Sequence, residues 1–141
     1  MSTLVVGIGN TLLGDDGAGP FVVELLWAEG ARGLELRAAH TLLPELAGEM
    51  PGHTAVVFVD ADRKAREISF RPIAPADGSG LHRFAPAQVV EMARGLGFEG
   101  EAWICSVPVQ STEPGETLSP EAELAAVRTA SLLLARLGSP G

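Results

Sequence analysis

The chain has one cysteine, few basic residues and no long apolar segment. The single cysteine, Cys105, excludes an internal disulfide framework and any zinc site built from several thiolates. Ten Lys and Arg residues stand against eighteen Asp and Glu, a net charge of −8, which argues against binding to nucleic acid or to an anionic membrane surface. No window of eighteen apolar residues exists and the first residues lack a signal-peptide pattern, so a cytoplasmic location is expected.

The chain does contain an alternation of strand-like and helix-like segments. Apolar residues make up 46% of the 141 residues, enough for the core of a single domain spanning 1–141. Apolar or alternating runs predict strands at residues 4–8, 34–39, 55–59, 67–73 and 102–107. The fourth run carries charges on one side and a proline, which is typical of an edge strand. This pattern predicts an α/β protein with a mostly parallel sheet.

Helical segments are predicted between these strands, at residues 20–29, 42–50 and 86–96, with a last helix after the fifth strand. The last helix begins at Ser119 as N-cap, followed by Pro120 and early acidic residues. Its apolar residues expected to face the core are Leu124, Val127, Leu134 and Leu137.

Several polar residues follow the predicted strands, where the ligand crevice of an open α/β sheet lies. They are Asn10, Asp15 and Asp16 after the first strand, His40 after the second, Asp60 after the third, and His82 in the loop before the third helix. Carboxylates and an imidazole that converge on one crevice suit a borderline divalent metal. Structural roles stay open for the same residues. Asn10, the only Asn in the chain, tolerates a turn with positive φ, and the acidic residues can interact with a helix N-terminus or cap a turn.

Other chemistries lack the residues that they need. Gly7 and Gly9 follow a strand, but Leu12 stands where a dinucleotide fingerprint needs its third glycine, and no P-loop lysine follows, so no nucleotide cofactor is expected. Cys105 lies inside a predicted strand, which favours a buried structural thiol. No serine occurs in a G-x-S-x-G elbow. His53 follows a Pro-Gly turn and is expected at the surface.

Four segments, in order along nearly the whole chain, resemble motifs of the hydrogenase maturation protease family. The first is GIGNTLLGDDGAG at residues 7–19, the second VVFVDA at 56–61, the third HRFAPAQVV at 82–90, and a weaker fourth spans 108–120. These endopeptidases trim the C-terminus of the large subunit of nickel–iron hydrogenases. The resemblance implies a three-layer α/β/α sandwich with a five-stranded mixed sheet in which one strand is antiparallel.

The resemblance also implies a metal-contacting set of catalytic residues. Matched position by position, the carboxylates fall on Asp16 and Asp60 and the imidazole on His82. Related proteins often have Glu where this chain has Asp16, which keeps the carboxylate but shortens its reach. Asn10, Asp15 and His40 are second-tier candidates.

The implied substrate is a [NiFe]-hydrogenase large-subunit precursor in which nickel is already placed, so nickel is the expected metal and the precursor presents it. Two mechanisms stay open: the metal polarises the scissile carbonyl or readies a water, or an Asp acts as general base and nickel serves recognition. A non-catalytic chaperone that binds nickel or the precursor is the alternative function.

Overall fold

The computed structural model describes residues 2–74 and 85–137. The regular elements are strands β1 (Thr3–Ile8), β2 (Leu34–Ala39), β3 (Ala55–Asp62), β4 (Ser69–Pro72) and β5 (Glu101–Pro108), and helices α1 (Ala18–Glu29), α2 (Pro86–Gly95) and α3 (Pro120–Leu137). Two short 3-10 segments, Gly14–Gly17 and Pro44–Glu49, lie before α1 and before β3. The first of them carries Asp15 and Asp16 and is called the acidic turn below.

The five strands form one mixed sheet in the order β2-β1-β3-β5-β4. β1, β2, β3 and β5 are parallel to one another, whereas β4 is antiparallel to β5 at the sheet edge. The central strands read as continuous apolar runs because helices cover both of their faces. The predicted mostly parallel sheet with one antiparallel edge strand is confirmed.

Two hydrophobic clusters lie on opposite faces of the sheet. On one face α1 and α3 pack against side chains such as Val5, Val57 and Cys105. On the other face α2 and the Pro44–Glu49 segment pack against Leu4, Val6 and Phe58. The molecule is therefore a three-layer α/β/α sandwich, as the resemblance implies.

One predicted element is shorter than expected and two predictions are wrong. The short helix predicted at residues 42–50 is the 3-10 helix Pro44–Glu49. β3 runs on to Asp62, so Asp60 lies inside the strand rather than just beyond it. Leu124 and Val127 of α3 are 50% and 43% exposed.

The buried face of α3 is made mainly of small residues, namely Ala122, Ala126, Thr129 and Ala130, with Leu133. These residues recur at helical spacing, and small side chains let α3 come close to α1. Of the four α3 residues predicted to face the core, Leu134 and Leu137 pack against it, whereas Leu124 and Val127 lie on the exposed side.

The first turn of α1 comes very close to the carboxyl ends of β1 and β3. A Cβ atom added at Gly19 would lie 2.5 Å from the carbonyl oxygens of both Ile8 and Val59. This approach places the acidic turn, which directly precedes α1, over the end of the sheet. Within residues 2–74 and 85–137, no helix combines the length and the apolar character that crossing a bilayer requires.

Candidate functional site

The candidate site lies where three neighbouring parallel strands end. Ile8, the last residue of β1, pairs with Ala39 of β2 on one side and with Asp60 of β3 on the other. The backbone N–H of Gly9 donates to the Ala39 carbonyl at 2.9 Å and continues the register past the strand. The residues that follow β1, the exposed His40 that follows β2, and Asp60 are therefore brought to one edge of the sheet.

The acidic turn is seated on the end of β1 by a glycine and a hydrogen bond. Gly9 has a φ of +153°, and a Cβ atom at this position would overlap the carbonyl oxygen of Asp16. The backbone N–H of Asn10 donates to Oδ2 of Asp16 at 2.6 Å. Asp16 is thus held half-buried above the strand ends, with one carboxylate oxygen anchored by the main chain.

Asp60 and Asp16 form a pair of interacting carboxylates. Burial, followed by the negative charge of Asp16, raises the pKa of Asp60 from 3.8 to about 6. The backbone N–H of Ala61 acts in the opposite direction, and Asp62 adds a smaller repulsion. Neither Asp16 nor Asp60 takes part in an ion pair with another described residue. Two like charges without such a partner favour a proton or a divalent cation between them.

Asp15 points away from this pair and is only 2% exposed. Its Oδ1 accepts the backbone N–H of Ser119 at 2.6 Å, and its Oδ2 accepts the backbone N–H groups of Gln110 and Ser111 at 3.0 and 3.1 Å. The Ser119 hydroxyl donates to the same Oδ2 at 2.8 Å. Burial opposes ionisation of Asp15, but these hydrogen bonds outweigh it, so the net pKa of Asp15 is lowered.

Asn10 stabilises the loop after β1 through its side chain, and its backbone does not adopt a positive φ. Within the described residues only glycines have positive φ, so that interpretation of Asn10 is wrong. Its Oδ1 instead accepts the backbone N–H of Leu12 at 2.9 Å, which is an Asx turn. The side chain shapes the loop, and it is the backbone N–H of Asn10 that touches Asp16.

The third residue of the predicted set, His82, lies outside the described residues, and its place at the site stays a prediction. Among residues 2–74 and 85–137, no group of three or more His, Cys, Asp and Glu side chains is arranged to hold a metal ion. The structure thus brings Asp16 and Asp60 together, with His40 at the same sheet edge. It turns Asp15 toward the chain that precedes α3.

The prediction for His53 is wrong, whereas the prediction for Cys105 is confirmed. His53 is not a free surface residue: its side chain is 10% exposed, Nδ1 lies 2.7 Å from the Ser2 hydroxyl, and Nε2 lies 2.8 Å from Oε2 of Glu35. Cys105 is fully buried, and burial raises the pKa of its thiol to about 11. A thiol with so high a pKa is a poor nucleophile, as the structural interpretation predicts.

Ser119 is a partner of Asp15, a role that was not predicted from the sequence. Ser119 also caps α3, since its hydroxyl accepts the backbone N–H of Ala122 at 3.2 Å, so the predicted N-cap is confirmed. The weak fourth motif, residues 108–120, was the available signal. Its backbone amides are what surround Asp15.

Comparison with known proteins gives matches among solved structures only. No family model matches the chain, and no curated protein sequence does so either. The hydrogenase maturating endopeptidase HybD from E. coli superposes with a TM-score of 0.76 at 25% identity, over 96% of this chain and 91% of that one.

Two further solved structures are similar over comparable lengths. An endopeptidase from Escherichia coli has a TM-score of 0.73 at 26% identity, over 96% of this chain and 91% of that chain. The [NiFe] hydrogenase maturation protease HycI from Thermococcus kodakarensis has a TM-score of 0.74 at 22% identity, over 94% and 89%. The resemblance read from the four motifs is confirmed, and over nearly its whole length the chain has the fold of the hydrogenase maturation endopeptidases.

Proposed function

We propose that this chain is an endopeptidase that removes the C-terminal extension of a nickel-loaded [NiFe]-hydrogenase large-subunit precursor. The observation that carries the proposal is the Asp16–Asp60 pair. It stands at the carboxyl end of the central strands, where α/β folds bind their ligands, in a fold shared with solved maturation proteases.

Asp60 has properties that suit a general base. Its pKa of about 6 makes it a stronger base than an ordinary carboxylate, while it is still largely ionised at neutral pH. Asp16 supplies the second carboxylate, and the Asn10 N–H holds one of its oxygens in place. In this proposal Asp60 takes a proton from the attacking water beside the scissile carbonyl, and His82 completes the site.

Nickel belongs to the precursor in this proposal. Two carboxylates and one imidazole form an oxygen- and nitrogen-donor set that binds first-row metals without strong selectivity. Bound between these donors, the ion would polarise the scissile carbonyl or a water. The precursor therefore determines that the metal is nickel, while the carboxylates of Asp16 and Asp60 bind a positive charge that lies between them.

Intact-mass measurement of the precursor before and after incubation with the enzyme tests this function. The nickel-loaded precursor should lose its C-terminal extension, and the metal-free precursor should keep it. Inhibitors directed at serine and cysteine proteases should have no effect, since Cys105 is buried and no serine occurs in a G-x-S-x-G elbow.

Two outcomes contradict the proposal in different ways. Equal cleavage of both precursors would remove nickel from recognition. Stable binding of the nickel-loaded precursor without any change in its mass would instead identify a maturation chaperone.

A further inference from the structure

The acidic turn is tied to a distant part of the chain through a single buried carboxylate. Asp15 is 2% exposed and accepts four hydrogen bonds, from the backbone N–H groups of Gln110, Ser111 and Ser119 and from the Ser119 hydroxyl. These donors lie 95 to 104 residues further along the chain. Both oxygens of Asp15 accept hydrogen bonds within the fold and the residue is buried, so it is not available to a substrate or a metal.

Backbone hydrogen bonds around Asp15 continue the same junction. Gly14 N–H donates to the Gly115 carbonyl at 2.8 Å, and Gly115 N–H donates to the Leu12 carbonyl at 2.9 Å. Asp15 N–H donates to the Ser111 carbonyl at 3.0 Å. The acidic turn is therefore hydrogen-bonded to the segment before α3 both through its main chain and through the Asp15 side chain.

We propose that Asp15 is a positioning residue that fixes Asp16 against Asp60, an inference that rests on the proposed function of this pair. Adjacent residues of one short turn point to opposite sides: Asp15 into the junction, and Asp16 to the Asn10 N–H at the strand ends. Gly9 packs against the turn on the side of β1, and Asp15 bonds it to the segment before α3 on the other side. The turn cannot shift without breaking one of these contacts, so Asp15, together with these backbone contacts, sets the position of Asp16 relative to Asp60.

The Asp15→Asn variant separates this role from the chemistry. An Asn side chain offers one acceptor oxygen where Asp15 offers two, so its NH₂ group must face either the Ser119 N–H or the N–H groups of Gln110 and Ser111. This conflict of donors should push the turn away from the junction.

The amide signal of Asn10 in a ¹H–¹⁵N correlation spectrum reports the position of Asp16 directly, because that amide donates to Asp16. In Asp15→Asn the signal should move most of the way to its position in Asp16→Ala, which lacks the acceptor. With the nickel-loaded precursor, kcat should fall by about ten- to a hundredfold while KM changes little, since Asp15 does not touch the substrate.

A control at a buried polar residue of α3 is Thr129→Val, which removes a hydroxyl that donates to the Ala125 carbonyl. It should leave the Asn10 signal and kcat unchanged. Ser119→Ala removes one of the four donors and should give a smaller shift in the same direction, so it provides the test if Asp15→Asn does not fold.

The two readouts distinguish the failure of this inference from the failure of the proposed function. An Asn10 signal that stays in place in the Asp15 and Ser119 variants overturns the positioning role, even if the parent chain cleaves the precursor. A signal that moves as expected supports the positioning role, even if the parent chain proves to cleave nothing.

Discussion

The Asp60→Asn variant is expected to be more stable than the parent chain at pH 8 and equally stable near pH 4. Asp60 ionises at a pKa of about 6 in the folded chain, against its ordinary value of 3.8. Between these two values the unfolded chain has lost a proton that the folded chain still holds. The free energy of unfolding therefore decreases as the pH rises from about 4 to 6, and it stays at the lower level above that range.

The size of this effect follows from the two ionisation constants. A tenfold difference corresponds to about 1.4 kcal/mol, so the separation between 3.8 and about 6 amounts to about 3 kcal/mol. Asp60 is half-buried and keeps part of its hydration, so we expect a gain of about 1–3 kcal/mol for Asp60→Asn at pH 8. Asparagine keeps the shape of the side chain and an acceptor for the Ala61 N–H, so little else changes.

Urea unfolding of both proteins from pH 4 to pH 8 measures the gap directly. Asp62→Asn is the matched control, because Asp62 lies two residues further along β3 and its side chain accepts a local hydrogen bond from the Lys64 N–H. It should show no comparable gain at pH 8. A constant gap at every pH, or an Asp60→Asn variant that is less stable at pH 8, would refute the reasoning about the carboxylate pair.

Three further substitutions test other parts of the account. Gly9→Ala should lower the free energy of unfolding by at least about 2 kcal/mol in urea titrations and should slow cleavage, because its Cβ would overlap the Asp16 carbonyl; a neutral result would mean that the acidic turn is not seated on β1 as described. Cys105→Ala should cost about 1–2 kcal/mol in the same titrations and keep full processing, and loss of cleavage in a folded variant would reopen thiol chemistry. Asp16→Glu should retain more cleavage activity by intact mass than Asp16→Ala, since only the former keeps a carboxylate, and equal activities would argue against a role for that group.

The order of the strands and helices was predictable because a strand that is buried on both faces of the sheet has an apolar residue at every position. The run at 55–59 is apolar at every position and became the core of β3, and the charged, proline-containing run near Phe70 became the antiparallel edge. α3 was placed correctly, and Leu134 and Leu137 pack against the core as predicted, but Leu124 and Val127 do not. The packing residues there are small, and their burial depends on how close α1 comes, which no local pattern records.

The candidate site was predictable only where it follows directly from strand ends. Strand ends point to Asp15, Asp16 and Asp60 as candidates because parallel strands share one crevice at their carboxyl ends, and only the family resemblance singles out Asp16 and Asp60. The register of β1 with β3 places Asp60 beside Ile8 at this edge. The role of Asp15 was out of reach, because its partners lie about a hundred residues away and act mostly through backbone amides. For the same reason the Pro-Gly turn before His53 gave no sign of Ser2 or Glu35 as its partners.

The initial rate of cleavage of a nickel-loaded precursor by Asp16→Asn, Asp60→Asn and Asp62→Asn tests the central claim most directly. Asp16→Asn and Asp60→Asn should each lose at least about 10²-fold in cleavage rate while they remain folded, and Asp62→Asn should cleave at nearly the parental rate. Asp60→Asn should then be both more stable than the parent at pH 8 and inactive, a combination typical of functional residues. Parental rates in either Asp16→Asn or Asp60→Asn would contradict the claim that this pair carries the reaction.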